Sequence, residues 1–470
     1  MIKNKQSEKQ TTNTTPVIQN RTISSYLNKE YLNYCFSVLE ERALPSIVDG
    51  FKPGARKIMH ASLAGTTKDG KLYKLLALSG DAMRVSLYAH GDSSLNSTIV
   101  GLCQSYRDNL NPLESDSQVG SLRDPDACSS PRYLYLTHSP FMEIYKTDYD
   151  LLDFVFEEGQ YVEPTNYLPI IPTLLCKNNI GLAIGYSMHN QAYNPINIID
   201  ACKDILKTGE IKTQIRPYLR GIKDKNWRYI DGVWFNYGEW KFDTKKDLMF
   251  VTDLPADISY EQFEKLLNKL EDSGYIKDWK NKSTNGNINY EILFPKKQLE
   301  ILLKSDPDGI KIVNKFKLIK QLPDDLFWVL DENHKLKHFD SKLDIIKYFV
   351  TYRLTIYNER KSRLVSILEK RYEENSKLVK FIELVCKGKL RIRNRAKSEI
   401  QIDMDKEDLP ISLISTSMSK VTIEERNQLL KENESIRQEL EYIKNTTTTQ
   451  MYINDLNTLK KQIEKEFKAC

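Results

Sequence analysis

Paired cysteines and zinc-ligand clusters are absent from this chain. Its seven cysteines stand singly, no two of them three residues apart, and the six histidines do not combine with them in a zinc-binding pattern. An odd number of scattered cysteines argues against a disulfide framework, and their spacing argues against a structural metal site. We therefore expect an intracellular protein with reduced thiols.

Long apolar runs and a strong excess of one charge are absent as well. No apolar stretch approaches the roughly 20 residues that a membrane span needs, and residues 1–22 lack the apolar core of a signal peptide. We expect a disordered tail over residues 1–22 and a cytoplasmic protein. The net charge of +5 is small for 470 residues, so only local basic clusters such as Lys52, Arg56 and Lys57 favour nucleic acid.

The chain also has no complete nucleotide-binding motif. Residues 65–72 approach the pattern of a phosphate-binding loop, but the last position is Leu72, which has no hydroxyl for Mg²⁺. The Asp-x-Asp pairs stand in turn-like segments without a partner glutamate. We expect neither an ATPase site nor a Mg²⁺ site formed by this chain alone.

Three kinds of pattern divide the rest of the sequence and predict an α+β multidomain protein. Residues 23–150 carry short helical patterns between turns, including one over 52–64. Residues 151–342 mix strands and helices with Gly, Pro and Asn between them. Residues 343–470 carry two long amphipathic helices.

Two helices joined by a short turn predict a helix-turn-helix in the first region. The first covers about 72–87, and the second begins after His90-Gly91, where Asp92 and Ser93 are good N-caps. The start of the second helix would present Ser93 and Ser94 to DNA phosphates or base edges.

The long helices of residues 343–470 have the pattern of an antiparallel coiled coil. The first spans about 344–387, and the second carries Leu429, Ile436 and Ile443 at heptad spacing. After a polar break the apolar pattern resumes towards the C-terminal end. An arm of this length with a compact tip is typical of a spacer or a dimerisation element.

The dipeptide Arg132-Tyr133 carries candidate chemistry. A phenol with an ordinary pKa of about 10 is a weak nucleophile while protonated, so it needs a cation or a hydrogen-bond donor nearby. A guanidinium can bind the charge that develops on phosphate oxygens in a transition state. The pair can therefore attack a DNA phosphodiester. Arg-Tyr also occurs at 228–229 and 371–372, so the surrounding motifs must select among the three.

Five motifs follow one another in the order of a known family. They are Tyr31 to Pro53, Tyr88 to Ser93, Gly120-Ser121 with Ser130 to Tyr133, Pro169 to Pro172 with Gly181 and Gly185 after them, and the long arms. Together they resemble the DNA-cleaving subunit of type IIA topoisomerases. Their eukaryotic-like spelling, without ATPase or metal-binding modules, is similar to the medium subunit of T4-like bacteriophage topoisomerases.

The resemblance implies an architecture and a set of site residues. The architecture is a winged-helix DNA-cleavage domain over 23–150, a mixed α/β tower domain over 151–342, and an antiparallel coiled coil with a dimerising exit gate over 343–470. The implied catalytic residues are Tyr133 as nucleophile, Arg132 and Arg42 as cations at the phosphate, and His90 as an orienting or proton-moving group. The implied DNA-binding residues are Lys52, Arg56, Lys57, Ser93 and Ser94, with Ile170 or Ile171 as a wedge between bases.

The resemblance further implies partners and cofactors. We expect the cleavage-and-religation subunit of an ATP-dependent type II topoisomerase, which acts on double-stranded DNA as a homodimer and relaxes or decatenates it. Mg²⁺ and ATP are both expected on a separate ATPase and metal-binding subunit. One alternative stays open, a non-catalytic DNA-binding dimer with a helix-turn-helix and a coiled coil. A tyrosine recombinase is disfavoured, since no histidine here has arginine three residues on.

Overall fold

The computed structural model describes most of the chain after the N-terminal tail. The described residues are 22–66, 71–284, 287–322, 326–392, 395–415, 417 and 421–469. The predicted disordered tail lies outside them except for residue 22, as do residues 67–70 of the loop that approaches a phosphate-binding pattern. No helix in the described ranges is both long enough and apolar enough to cross a membrane.

Short helices fill the first part of the chain, as the periodicity predicts. Their bounds are α1 Ile23–Tyr26, α2 Leu32–Val38, α3 Pro53–Ala61, α4 Leu75–Val85, α5 Asp92–Cys103 and α6 Glu143–Lys146. Helix α3 begins with Pro53, whose fixed φ suits the first helical position. The predicted helices over 52–64 and 72–87 are confirmed with shorter ends, and α4 and α5 form the predicted helix-turn-helix.

A small antiparallel sheet lies beside these helices. Its strands are β1 Tyr73–Lys74, β2 Leu113–Ser115 and β3 Tyr135–His138, in the order β1-β3-β2. Strand β3 is central and pairs with both neighbours, so the residues just before it lead directly into a strand that is held on two sides.

Two hairpins and a helix follow. They are β4 Phe154–Glu157 with β5 Gln160–Pro164, β6 Asn179–Leu182 with β7 Ser187–Asn190, and α7 Pro195–Thr208. Asn194 caps α7 by accepting a hydrogen bond from the Ile196 amide.

Residues 227–322 build two further sheets. One apolar cluster lies entirely within them, and a second also includes Ala192, Leu219 and Ile222. The strands are β8 Trp227–Ile230, β9 Val233–Tyr237, β10 Glu239–Asp243, β11 Leu248–Asp253, β12 Asp278–Asn281, β13 Tyr290–Leu293 and β14 Ile319–Gln321. The helices are α8 Tyr260–Asp272, α9 Gln298–Ser305 and α10 Ile310–Lys315. The sheets have the orders β14-β9-β8 and β10-β11-β13-β12. We refer to residues 227–322 as the sheet unit.

After the sheet unit the chain pairs with the β6–β7 hairpin and then enters the long helices. Strands β15 Leu326–Leu330 and β16 Leu336–Phe339 extend the second hairpin into a sheet of order β16-β15-β7-β6. The remaining helices are α11 Lys342–Cys386, α12 Lys397–Lys406, α13 Ile423–Asn445 and α14 Thr448–Ala469.

Helices α11 and α13 pack against each other in opposite directions. Arg371 in α11 pairs with Glu432, while Glu383 further along α11 pairs with Arg426, which lies earlier in α13. The heptad residues Leu429, Ile436 and Ile443 are buried as predicted. The last apolar segment does not extend this arm: α14 packs on α7 and on the first part of α11.

The main hydrophobic core is shared between distant parts of the chain. It joins residues of α3, α4 and α5 with the second hairpin, with α7, and with α11 and α14. The proposed divisions at residues 150 and 342 stay predictions, because this core crosses both of them.

Candidate functional site

Tyr133 lies in a tight turn at the entrance to the small sheet. The turn Pro131–Tyr133 is closed by a 2.9 Å hydrogen bond from the Tyr133 amide to the Ser130 carbonyl. The next residue, Leu134, is fully buried, which anchors the turn, whereas the Tyr133 side chain is 66% exposed. A phenol held on a fixed backbone and open to solvent can reach a large ligand.

Arg132 is exposed beside it, and no ion pair or hydrogen bond engages its guanidinium within the described ranges. The other two Arg-Tyr pairs differ in this respect. Arg228 lies 4.2 Å from the Tyr237 ring centroid, and Arg371 is paired with Glu432. Tyr133 therefore has beside it an arginine that is available to an external anion.

Helix α5 carries the predicted phosphate contacts and packs on the same helix, α4, as this turn. His90 is exposed and packs edge-on against Tyr88 at 5.5 Å, just before the helix begins. The N-cap is Gly91 and not Asp92 or Ser93 as predicted, so Asp92 lies in the first helical turn. Helix α4 contacts both α5 and the Tyr133 turn. Unpaired amides at a helix start attract phosphate.

Ser93 and Ser94 are both exposed in the first turn of α5. Their carbonyl groups accept hydrogen bonds from the Ser97 and Thr98 hydroxyls, each at 2.9 Å. No hydrogen bond within the described ranges engages the hydroxyls of Ser93 and Ser94 themselves. Both can therefore donate hydrogen bonds to a ligand at the start of the helix.

Arg42 and Lys52 belong to two segments that each contact the β6–β7 hairpin. Arg42 is exposed, and the carbonyl of the adjacent Ala43 packs so closely on Gly181 that a Cβ there would lie 2.6 Å from it. The Lys52 ammonium donates to the Ile180 carbonyl at 3.0 Å. Burial, followed by the charge of Lys177, lowers the pKa of Lys52. Two cations therefore flank one hairpin.

Arg56 does not face solvent, and its predicted role at a DNA phosphate is corrected by its packing. Its side chain is buried and makes two bonds to the Asp49 carboxylate, at 2.8 and 3.0 Å. The charge and hydrogen bonds of Asp49 outweigh burial and raise the pKa of Arg56. A bidentate internal pair leaves this guanidinium unavailable to a phosphate.

Lys57 is similarly engaged within the protein. Its ammonium lies 2.7 Å from the Ser86 carbonyl and 2.7 Å from the Glu163 carboxylate. A phosphate contact predicted for Lys57 would require both of these bonds to break. Of the predicted basic cluster, Arg56 and Lys57 thus make bonds inside the protein that hold α3 in place.

Ile170 and Ile171 are buried at 6% and 0% exposure, which corrects their predicted role as a wedge between bases. They pack in the main core, and the Ile170 carbonyl accepts a 2.7 Å hydrogen bond from Tyr452. The nearby Ile180 and Leu182 are instead 60% and 75% exposed. Alternation around Gly181 on a strand is the sequence signal that could have identified them.

The described contacts bring some of the predicted residues together and leave others apart. Arg132 and Tyr133 are adjacent, and Arg42 and Lys52 share the β6–β7 hairpin. No hydrogen bond or ion pair within the described ranges joins Arg42 or His90 to Tyr133. In the same ranges no group of three or more His, Cys, Asp or Glu side chains could hold a metal ion.

The arrangement suits a reaction on a polyanion. It combines an exposed phenol, a neighbouring free guanidinium, a helix start with exposed hydroxyls, two further cations and an exposed apolar hairpin. Cations on one surface bind a phosphate backbone, and apolar side chains among them can enter between bases.

Comparison with known proteins supports this reading of the surface. The family profile that describes the A subunits of DNA gyrase and topoisomerase IV matches residues 42–460. The mitochondrial DNA topoisomerase 2 of Dictyostelium discoideum is 28% identical over 96% of this chain and 36% of its own length. The DNA topoisomerase medium subunit of Enterobacteria phage T4 is 27% identical over 94% of this chain and 100% of its own length.

A solved structure is similar as well. The Plasmodium falciparum topoisomerase II DNA-binding, cleavage and re-ligation domain superposes with a TM-score of 0.81 at 27% identity, over 94% of this chain and 65% of the other. The chain spans about a third of the Dictyostelium relative and the whole length of the phage subunit. Because the profile matches most of its length, this chain belongs to the family formed by the A subunits of DNA gyrase and topoisomerase IV.

Proposed function

We propose that this chain is the DNA cleavage-and-religation subunit of an ATP-dependent type II topoisomerase. The observation that carries the proposal is the exposed Tyr133 on a fixed turn, with the free Arg132 beside it. Membership of the topoisomerase family supports the same reaction.

Tyr133 is the proposed nucleophile. Its phenolic oxygen attacks a backbone phosphorus, the new P–O bond forms, and the bond to the 3′ oxygen breaks. The phenolic proton is lost and the departing 3′ oxygen gains one, so the DNA ends as a 5′-phosphotyrosyl strand and a free 3′ hydroxyl. The aryl ester keeps the bond energy, and attack by that hydroxyl reverses the step without an outside energy source.

Cations stabilise the charge that this attack creates. Arg132 binds the non-bridging oxygens, because its guanidinium offers parallel donors that match a phosphate. Arg42 supplies a second cation, and His90 orients the phosphate or assists the proton movement. Arg42 and His90 have no described contact with Tyr133, so we propose that bound DNA brings these groups to one phosphate.

Flanking contacts hold the duplex and bend it. Lys52, Ser93 and Ser94 bind phosphates and supply affinity without sequence information. Leu182 at the β6–β7 hairpin takes the place of the buried isoleucines as the proposed wedge. Inserting an apolar side chain at a base step costs a few kcal/mol of unstacking, which contacts with the bent DNA offset.

The architecture supports a gate for a second duplex. We propose that α3, α4, α5 and the small sheet form a winged-helix cleavage domain. The sheet unit then belongs to a tower domain, and α11 with α13 forms a coiled coil whose tip dimerises as an exit gate. Two chains, each with one Tyr133, would break both strands and pass another duplex through, which relaxes or decatenates DNA.

A partner subunit completes the enzyme in this proposal. The phage relative that this chain matches over that relative's whole length is a topoisomerase medium subunit, and we assign Mg²⁺ and ATP to a separate ATPase and metal-binding subunit. The expected assembly is a heterotetramer or larger.

A denaturant-trapped cleavage assay tests the proposal. The chain, its partner subunit, Mg²⁺ and supercoiled plasmid are mixed and stopped with detergent. Tyr133→Phe runs beside Tyr135→Phe, a matched control because Tyr135 lies on the same segment and is 38% exposed. Linear DNA with protein on its 5′ ends should form with the wild type and Tyr135→Phe and be absent with Tyr133→Phe. DNA binding without any adduct from the wild type would favour the non-catalytic dimer.

A further inference from the structure

The loop that leads to Tyr133 is closed at its base. Val119 and Cys128 form an antiparallel bridge, and the Gln104 side chain at the end of α5 donates to the Val119 carbonyl at 2.8 Å. Tyr133 follows a few residues after Cys128. We call residues 119–128 the tyrosine loop, and any shift of its base moves the backbone that carries the phenol.

The tip of the tyrosine loop is buried in the sheet unit through one side chain. Arg123 is 9% exposed, and its guanidinium donates to the Pro255 carbonyl at 2.6 Å, to the Ile258 carbonyl at 3.2 Å and to the Asp253 carboxylate at 3.0 Å. In return, the Tyr260 amide donates to the Arg123 carbonyl at 2.9 Å. The contact therefore runs in both directions between the two parts of the chain.

The surroundings of Arg123 make this attachment stiff. Asp253 is also held by the Asn226 side chain at 3.0 Å, so its carboxylate cannot follow the arginine freely. Leu122 packs on an apolar cluster to which the sheet unit contributes Trp227 and Trp234. A planar guanidinium that reaches several fixed acceptors at once defines a direction as well as a distance.

We propose that Arg123 is a positioning residue for Tyr133, which fastens the tyrosine loop to the sheet unit so that the phenol meets the phosphate at the reacting distance. The assignment rests on the proposed cleavage function. Because misplacement of a reacting group by about 1 Å can cost on the order of 100-fold in rate, a loosened loop slows cleavage without weakening DNA binding.

The test measures adduct formation and DNA affinity separately in the complete assembly. Arg123→Gln and Arg123→Lys are compared with the wild type, with its partner subunit, Mg²⁺ and a plasmid. Lys460→Gln is the control, because it breaks an ion pair with Asp200 at 2.7 Å that lies outside the tyrosine loop. Single-turnover rates of trapped adduct, dissociation constants for DNA and apparent Tm values are recorded for each.

We expect Arg123→Gln to slow adduct formation at least tenfold with DNA affinity within twofold of the wild type. Arg123→Lys keeps a cation that can pair with Asp253 but loses the planar guanidinium and its several donors, so it should recover part of the rate. Should Arg123→Gln fail to fold, Asp253→Asn gives the same comparison. Wild-type adduct rates in these variants, or equal falls in rate, affinity and Tm, would overturn the assignment. A wild type that forms no adduct overturns the proposed function, and this assignment with it.

Discussion

Ile171 and Leu182 should have separate roles, one in the stability of the fold and the other in DNA bending. Ile171 is fully buried in the main core, whereas Leu182 is 75% exposed. Removing the side chain of a buried isoleucine costs about 2–5 kcal/mol, while an exposed leucine away from special features costs within about 0.5 kcal/mol. Ile171→Ala should therefore lower the stability of the fold and keep DNA bending, whereas Leu182→Ala should keep the stability and weaken the bending.

The magnitudes follow from burial. At about 2–4 °C per kcal/mol, the scale for a cooperative unit of 150–250 residues, Ile171→Ala should lower the apparent Tm by roughly 4–20 °C, and Leu182→Ala should leave it nearly unchanged. A leucine that becomes buried between bases gains about 1.5–3 kcal/mol. Its loss should lower the ratio of bent to straight DNA about tenfold or more.

Energy transfer between dyes at the two ends of a short duplex measures the bend, and calorimetry measures the Tm. Ile301→Ala is the matched control, since Ile301 is 63% exposed on α9. We expect normal bending and a normal Tm for the control. Full bending by Leu182→Ala, or lost bending by a normally stable Ile171→Ala, would refute the assignment of the wedge to the hairpin.

Three further outcomes follow from the same contacts. Arg56→Ala should lower stability by about 3–5 kcal/mol, read as a large fall in Tm, because it leaves a buried carboxylate without its partner. Gly120→Ala should lower both Tm and cleavage rate, since Gly120 has φ +84° and its Cβ would lie 2.6 Å from a carbonyl oxygen of the same loop, whereas Gly80→Ala in open space should not. Hydrogen bonding from Lys225 lowers the pKa of Glu239. The Glu239 ion pair should contribute less than about 1 kcal/mol to the free energy of unfolding. This contribution should be present above the ordinary glutamate pKa and fade as pH falls through the lowered pKa. The difference in Tm between the wild type and Glu239→Gln should therefore vanish in acid.

Local periodicity predicted the elements that depend on neighbours in sequence. Helix α5 was placed from its apolar spacing, and α11 ends within a few residues of its predicted bounds because one face must be buried along its whole length. The heptad positions of α13 are buried for the same reason. Apolar spacing predicts such helices well, because the regular turn of a helix places residues at fixed spacings on the same face.

The direction of a single side chain could not be predicted in this way. Arg56 is basic and close to other cations in sequence. Its side chain nevertheless points inward, because it pairs with Asp49, which lies four residues before α3 and is itself buried. Ile170 and Ile171 resemble a family motif, but a fully buried strand-like run and an exposed wedge have the same composition. Likewise the last helix, α14, has the apolar pattern of an arm and packs instead on the main core.

Peptide mapping of the covalent adduct identifies the nucleophile without relying on any variant. Wild-type adduct formed with the partner subunit is trapped, the DNA is digested to a short remnant, and mass spectrometry locates the modified residue. We expect a nucleotide joined through its 5′ phosphate to Tyr133. A remnant on Tyr135, Tyr229 or another residue, or a link to a 3′ phosphate, would contradict it.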